Sequence, residues 1–242
     1  LEQSKREDQG DSREVKRYEF VTFHQSFSYE DFVEGIKPHL GETDDIGYEV
    51  KDGVFKRMCA KAEQDPENNY ALFIDEINRG NVASIFGELI TLLEDDKRLR
   101  RPQALTTTLP YSKKTFGVPP NLYVIGTMNT ADRSVEALDT ALRRRFSFRE
   151  MPARPDLLNG QELGGVDLQR LLSTINERVE QLLDKDHHIG HSYFMSISSG
   201  DDLKRVFANK VLPLLDEYFH GDARKVGAVL GKAFVEKKES TT

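Results

Sequence analysis

The stretch "YALFIDEINRGN", residues 70–81, ends an apolar run, Ala71-Leu72-Phe73-Ile74, in two adjacent carboxylates, Asp75 and Glu76. Asn78 and Arg79 follow at once. A carboxylate at the end of a buried strand is rigidly held and can bind Mg²⁺ directly or through water. The acid beside it can orient or deprotonate an attacking water. That is the chemistry of phosphoryl transfer, where a protein supplies position and charge rather than covalent steps. A second apolar run, "NLYVIGTMN" (121–129), ends in Asn129, a neutral hydrogen-bonding group able to hold a water beside a γ-phosphate. Beyond it stand Arg143, Arg144 and Arg145. Successive helical residues point about 100° apart. Three arginines in a row therefore cannot serve one local site, and at least one should face solvent or a neighbouring subunit. Arginine is the residue used in trans to stabilise charge on a transferring phosphoryl group. Each feature also has a plainer reading. Two acids can simply leave a strand into a solvated loop, and basic residues suit a helix C-terminus.

The elements that must position these groups are legible as patterns. "YEFVTFH" (18–24) reads as a strand, and Ser28 as the cap of a short helix, "YEDFVEGI". "GYEVKDGVF" (47–55) reads as a small hairpin about Asp52-Gly53, its second arm running into the helix "FKRMCAKAEQ". "YALFI" is short and continuously apolar, as in a strand buried on both faces of a parallel sheet. Asn81 is placed to cap a helix carrying Val82, Ile85, Phe86, Leu89, Ile90 and Leu93 at helical spacing. Ser134 caps another, "VEALDTALRRRF", from residue 135. Composition shifts at "MPARPD" (151–156), and from Asp167 onward the pattern is helical. The expected organisation is a disordered tail (1–17), an α/β core (18–152) and a small all-helical domain (153–242).

Composition sets outer limits. The 242 residues are 38% hydrophobic and 31% charged, as in ordinary globular domains. No run approaches the roughly 18 apolar residues of a membrane span. The charged start is not a signal peptide. One cysteine, Cys59, excludes a disulfide framework and makes a reducing, cytoplasmic setting the default. The net charge of −7 gives no support for nucleic-acid binding through overall charge.

Taken together, four segments resemble the AAA+ motor domain of the McrB family, the nucleotide-hydrolysing subunit of modification-dependent restriction systems. They are "VTFHQSFSYEDFVEGIKP" (21–38), "LFIDEINRGNVASIFGELITLLEDDKR" (72–98), "PPNLYVIGTMNTADRSVEALDTALRRRFSF" (119–148) and "HIGHSYFM" (188–195). "MNTADRS" is the most specific. The resemblance implies an AAA+ P-loop NTPase-type parallel sheet with helices, followed by a helical lid. It makes Asp75 and Glu76 the Walker B pair, for Mg²⁺ and water activation, and puts Asn129 at the sensor-1 position. It implies that Asp132 lies in the stretch associated with guanine-nucleotide use, and that Arg144 and Arg145 match the region supplying a trans-acting arginine. Asn78 and Arg79 match positions near the nucleotide or the subunit interface, and His191 lies at the lid junction. The implied assembly is a homo-oligomeric ring, hexameric in this family. It hydrolyses GTP and drives DNA translocation and cleavage by a McrC-like nuclease partner, with DNA bound through a further domain. If a helix begins at Ser134, Arg145 lies roughly 16 Å along it, too far for its own γ-phosphate and suited to a neighbour's.

The family's Walker A loop precedes the "VTFHQS" strand, but no G-x-x-x-x-G-K-[ST] occurs in these 242 residues. "GAVLGKA" (227–233) is one residue short and has Ala233 where a hydroxyl should bind the metal. The chain alone is therefore expected to bind nucleotide weakly and to be inactive, as a truncated or degenerate NTPase. Two rivals follow: an ATP-hydrolysing MoxR- or dynein-related relative, and a non-catalytic scaffold. Other groups have plain readings. His187, His188 and His191 lack nearby cysteines for a zinc site. Arg224 is a sensor-2 candidate or an ordinary exposed arginine. Phe23, His24, Phe27, Tyr29 and Phe32 suit core packing better than base stacking.

Overall fold

The structure is a computed structural model that describes residues 16–40, 46–129 and 140–231. The chain divides between Ser147 and Phe148 into two compact units. Nearly all of the expected disordered tail lies outside the described residues.

The first unit begins with β1 (Tyr18–Thr22) and a single helical turn, α1 (Tyr29–Phe32). Ser28 precedes this turn, but its hydroxyl donates to Asp31 at 3.0 Å and caps no backbone amide. The helix expected to continue through Ile36 ends at Phe32. Glu34–Leu40 is β2, paired antiparallel with β3 (Ile46–Asp52). The expected hairpin about Asp52-Gly53 is thus displaced. The Gly53 amide donates to the Val33 carbonyl at 2.7 Å, so Asp52-Gly53 joins β3 to α2 (Val54–Gln64) instead of turning a strand. β4 is Tyr70–Asp75, and α3 (Val82–Phe86) is capped by Asn81, whose Oδ1 accepts from the Ser84 amide at 3.0 Å. The expected long helix stops at Gly87, where φ is +51°, and continues to Leu93 as 3₁₀. A Cβ on Gly87 would stand 3.3 Å from the Tyr29 ring, so both backbone and space favour glycine there. Two short strands, β5 (Thr107–Thr108) and β6 (Thr115–Phe116), precede β7 (Leu122–Gly126). The one turn of α4 (Thr140–Arg143) closes the unit.

β1, β4 and β7 form a parallel sheet in that spatial order. The expectation that β4 is buried on both faces is corrected. Tyr70, Leu72 and Ile74 are buried against α2 and α3, with Phe55, Met58, Ile85 and Phe86. Ala71, Phe73 and Asp75 are half-buried, and Tyr18, Phe20, Tyr123 and Ile125 beside them are exposed. Among the described residues no element covers that second face, so the alternation of period two reappears. The aromatic segment after β1 is core: Phe23 and Phe32 are fully buried, and Phe32 stacks on Phe55 at 5.0 Å. Cys59 is buried in the same core, and burial pushes its thiol pKa up.

One ionic joint ties the hairpin to the rest. The Glu34 carboxylate is fully buried and accepts from Lys56 Nζ at 2.6 Å. It also accepts the Tyr111 and Ser112 amides at 3.0 and 2.8 Å. Burial alone would raise its pKa, but these donors outweigh it and hold the carboxyl at about 2. The unfolded value is near 4.5, so the stabilisation is complete above pH 4.5 and drains away as pH falls toward 2.

The second unit has two minimal strands, β8 (Glu162–Leu163) and β9 (Val166–Asp167), then α5 (Leu168–Leu182), α6 (Gly200–Val206), α7 (Leu212–Tyr218) and α8 (Ala223–Leu230). Within the stretch expected to be helical from Asp167 onward, "LKRVFANKVLPLLDEYFH" passes through a π-helical turn at Phe207–Val211. Pro213 lacks the N–H that would reach back to residue 209, which accounts for the loosened turn. Leu172, Ile175, Val179, Phe194, Val211 and Leu215 form a separate core. No helix among the described residues is long and apolar enough to cross a membrane.

Replacing Glu34 with Gln should lower stability by about 2 kcal/mol at pH 6, with the gap to wild type narrowing below pH 4.5. Urea unfolding from pH 6 to pH 3 measures this; a gap that stays constant would show that the ionic joint is not what acid disrupts.

Candidate functional site

The site is built at the carboxyl ends of β4 and β7. Ile74 lies opposite Gly126, which brings Asp75 beside Thr127. The Thr127 hydroxyl donates to Asp75 Oδ1 at 2.5 Å, and its amide donates to the Ile74 carbonyl at 2.9 Å. The Ile77 amide returns to the Thr127 carbonyl at 2.9 Å, and the Phe23 amide binds the Asp75 carbonyl at 2.9 Å. Asp75 is thus fixed through both backbone and side chain between β1 and β7. A strand end held this way directs a carboxylate outward without freedom to collapse. Thr127 was not among the residues singled out from sequence, although its hydroxyl type and its place in "IGTMN" were visible.

Immediately after Asp75 the chain turns sharply. Glu76 has φ 51° and ψ 45°, the left-handed region, which a glutamate adopts at a cost of about 1–2 kcal/mol. The turn leads into a 3₁₀ segment, Ile77–Arg79, whose Ile77 is buried. Ile77 packs so closely on β7 that a Cβ on Gly126 would stand 3.0 Å from its Cδ1. Glu76 Oε2 lies 3.2 Å from Arg79 Nε, an ion pair by charge and distance without an aligned hydrogen bond. Asn78 Oδ1 is shielded from solvent and has no hydrogen-bond partner among the described residues. An orphan acceptor and a strained acid two residues apart are features that proteins keep at functional positions.

The remaining candidates are distributed. Asn129 is exposed, three residues beyond the end of β7. Asp132 and the cap expected at Ser134 lie outside the described residues. The three arginines do separate. Arg145 is half-buried, with Nε 2.8 Å from Glu94 Oε1. Arg143 and Arg144 are exposed, and Arg144 has no ion pair among the described residues. Buried Leu142 and the partly buried Phe146 anchor the segment on either side.

In the second unit His191 Nδ1 accepts from the Arg154 amide at 3.1 Å, which leaves the proton on Nε2. His187 pairs with Asp184 at 2.6 Å and His188 with Glu180 at 3.2 Å. Each histidine thus has a local partner, and no group of three metal-binding side chains occurs among the described residues. Asn176 is buried and holds both sides of Ile189, donating to its carbonyl and accepting from its amide. That bond pins "HIGH" to α5. The Arg224 guanidinium is exposed, 3.6 Å from Asp222. Gly227–Leu230 of "GAVLGKA" is α8 helix, not a phosphate loop.

At Glu76 the backbone strain gives a test that needs no ligand. Glu76→Gly should leave the protein about 1 kcal/mol more stable than Glu76→Ala, because glycine accepts the left-handed backbone freely. Thermal denaturation of the two variants decides; an equal or lower midpoint for glycine would rule out the strain.

Comparison with known proteins gives a consistent picture. Residues 13–146 match the model of the AAA domain (dynein-related subfamily), and residues 167–227 match the McrB alpha-helical lid domain. The chain is 37% identical over 228 residues to the Type IV methyl-directed restriction enzyme EcoKMcrB subunit of Escherichia coli, covering 87% of this chain and 49% of that protein. It is 33% identical over 132 residues to the Type II restriction enzyme BsuMI component YdiS of Bacillus subtilis, covering 51% of this chain and 37% of that protein. The chain therefore spans half or less of the length of these relatives. A solved structure described as a putative ATPase from Cytophaga hutchinsonii covers 78% of this chain and 44% of its own, at a TM-score of 0.34 and 14% identity. That likeness is too slight to carry weight. On the first match, which spans over half of the chain, and on the lid that follows it, this protein belongs to the AAA family, dynein-related subfamily, with a McrB-type helical lid.

Proposed function

We propose that this chain is the motor portion of a McrB-like restriction subunit, which in the complete protein hydrolyses GTP to drive DNA translocation and cleavage by a McrC-like nuclease. The observation that carries this reading is the Asp75-Glu76 turn clamped by Thr127 at the end of a parallel strand, in a chain of McrB-type organisation. The donor set fits Mg²⁺. Asp75 offers one carboxylate, with Oδ1 held by Thr127 and Oδ2 without a hydrogen bond among the described residues. Magnesium favours one or two carboxylates plus substrate phosphates over a cage of protein ligands. When bound, the ion would supply charge neutralisation to the phosphates. Glu76 would orient the attacking water and take its proton, leaving Arg79 to do so. Asn78 and Asn129 would bind the nucleotide and the water, and Asp132 would favour guanine. His191 would serve the lid side.

Arg144 is the better placed of the arginines to act in trans, because Arg145 already has an intramolecular partner. Such an arginine contributes ~10³-fold or more to turnover. A homo-oligomeric ring follows, since a trans residue needs a neighbour. ATP use, as in MoxR- or dynein-related proteins, is the alternative for the nucleotide, and the core match does not separate the two. Competition between GTP and ATP on the complete protein does.

Two expected outcomes test the reading. Glu76→Gln in the complete protein should abolish turnover while nucleotide stays bound, whereas Asp75→Asn should weaken Mg²⁺-dependent binding itself. Arg144→Ala should also bind nucleotide without turnover, and mixing it with Glu76→Gln should restore some activity. Normal turnover by Glu76→Gln, or mixed assemblies that stay inactive, would rule the assignment out. For this chain alone, titration with millimolar GTP or ATP and Mg²⁺ should show only weak binding. A micromolar dissociation constant would mean the phosphates are held elsewhere than in a Walker A loop.

A further inference from the structure

We propose that Glu94 is a positioning residue for Arg144: by pairing with Arg145 it fixes the turn that presents Arg144 to a neighbouring copy of this chain. The inference rests on the reading of Arg144 as a trans-acting group.

The geometry points to Glu94 as follows. α4 ends at Arg143, and Arg144 and Arg145 form the turn beyond it, closed by the Arg145 amide on the Leu142 carbonyl at 2.9 Å. Leu142 is 1% exposed, so the turn is rooted in the core on its N-terminal side. On the C-terminal side the root is an ion pair by charge and distance, with Arg145 Nε 2.8 Å from Glu94 Oε1 without an aligned hydrogen bond and side chains 19% and 34% exposed. Arg143 and Arg144 lie between these two anchors and are both exposed, and Arg144 is the one beyond the helix end.

Glu94 is itself held rigidly. It follows the 3₁₀ segment Gly87–Leu93, whose Leu92 and Leu93 are buried. The buried Arg98 donates to the Leu93 carbonyl at 3.1 Å and to the Leu122 carbonyl at 3.1 Å, which ties this corner to the start of β7. A half-buried pair on such a base is less screened than a surface pair. The consequence is positional. An arginine on a long side chain acts on a transferring phosphoryl group only if its backbone is held, and a displacement of about 1 Å costs on the order of 10²-fold in rate. Losing the pair should therefore impair the arginine that a subunit lends, and leave its own nucleotide site untouched.

Complementation on the complete protein tests this. Glu94→Lys should lower kcat at least about tenfold with KM and nucleotide affinity within about twofold. Mixed with Glu76→Gln, it should regain turnover beyond the sum of the two, because some interfaces then join an intact Glu76 to a well-held Arg144. Mixed with Arg144→Ala, it should regain none, because every interface then lacks a well-placed arginine. The charge swap Glu94→Lys/Arg145→Glu should recover most of the loss, and it keeps the test open if the single variant does not fold. Rescue of Glu94→Lys by Arg144→Ala instead of by Glu76→Gln would show that Glu94 serves its own subunit's site, and overturns the inference alone. So would a normal kcat for Glu94→Lys. If Arg144→Ala and Glu76→Gln fail to complement each other, the trans reading falls and this inference falls with it.

Discussion

The bond from Thr127 to Asp75 is the constraint around which the first unit is arranged. Parallel strands bring like ends together, so the ends of β4 and β7 must both leave the sheet at the same edge. Without a cross-link, two adjacent loop starts would be free to splay. Thr127 prevents that with its hydroxyl on Asp75, its amide on Ile74 and its carbonyl under Ile77. The carboxylate that faces outward is thereby part of the sheet's own hydrogen bonding. Its position is as rigid as the sheet, which the metal-binding role proposed for it would require.

That rigidity is bought with local strain. Glu76 takes a left-handed backbone, and Asn78 keeps a solvent-shielded oxygen without a partner among the described residues. Each is unfavourable by roughly 1–3 kcal/mol. Burial offsets them. Ile77 fills the space that a side chain at position 126 would otherwise occupy, and burying an isoleucine is worth about 1.5–3 kcal/mol. The unfavourable features and their compensation thus lie within three residues of one another. A sequence optimised only for folding would relieve Glu76 with glycine or asparagine, so a glutamate in this turn fits the water-orienting role proposed for its carboxylate.

What the sequence displayed and what it hid divide along physical lines. The strand ending in Asp75-Glu76, the cap at Asn81 and the helical second unit were readable because periodicity and capping are local. The β2–β3 pairing was misplaced because Asp52-Gly53 carries a strong turn signal, whereas the open end of the hairpin is closed by a backbone bond from Gly53 to Val33 that leaves no mark in composition. The break at Gly87 was missed because the apolar spacing from Val82 to Leu93 runs through it unchanged. The Thr127 clamp and the Glu94–Arg145 pair join residues about fifty apart. Such contacts depend on strand order and register, which no single window contains.

The run of three arginines shows how one string of like residues is divided by its surroundings. Helical geometry already required that they not point together. The structure adds a reason for which one turns inward. Leu142 and Phe146 must both reach the core, and the chain between them makes one turn past the helix end. Arg145, immediately before Phe146, is drawn toward the same surface, where an unpaired guanidinium would be unfavourable. Glu94 meets it there. Arg144, on the outer side of the turn, is left exposed. The separation of the arginines into exposed and paired thus follows from where two apolar residues need to be, and the charge partner at Glu94 makes that placement tolerable.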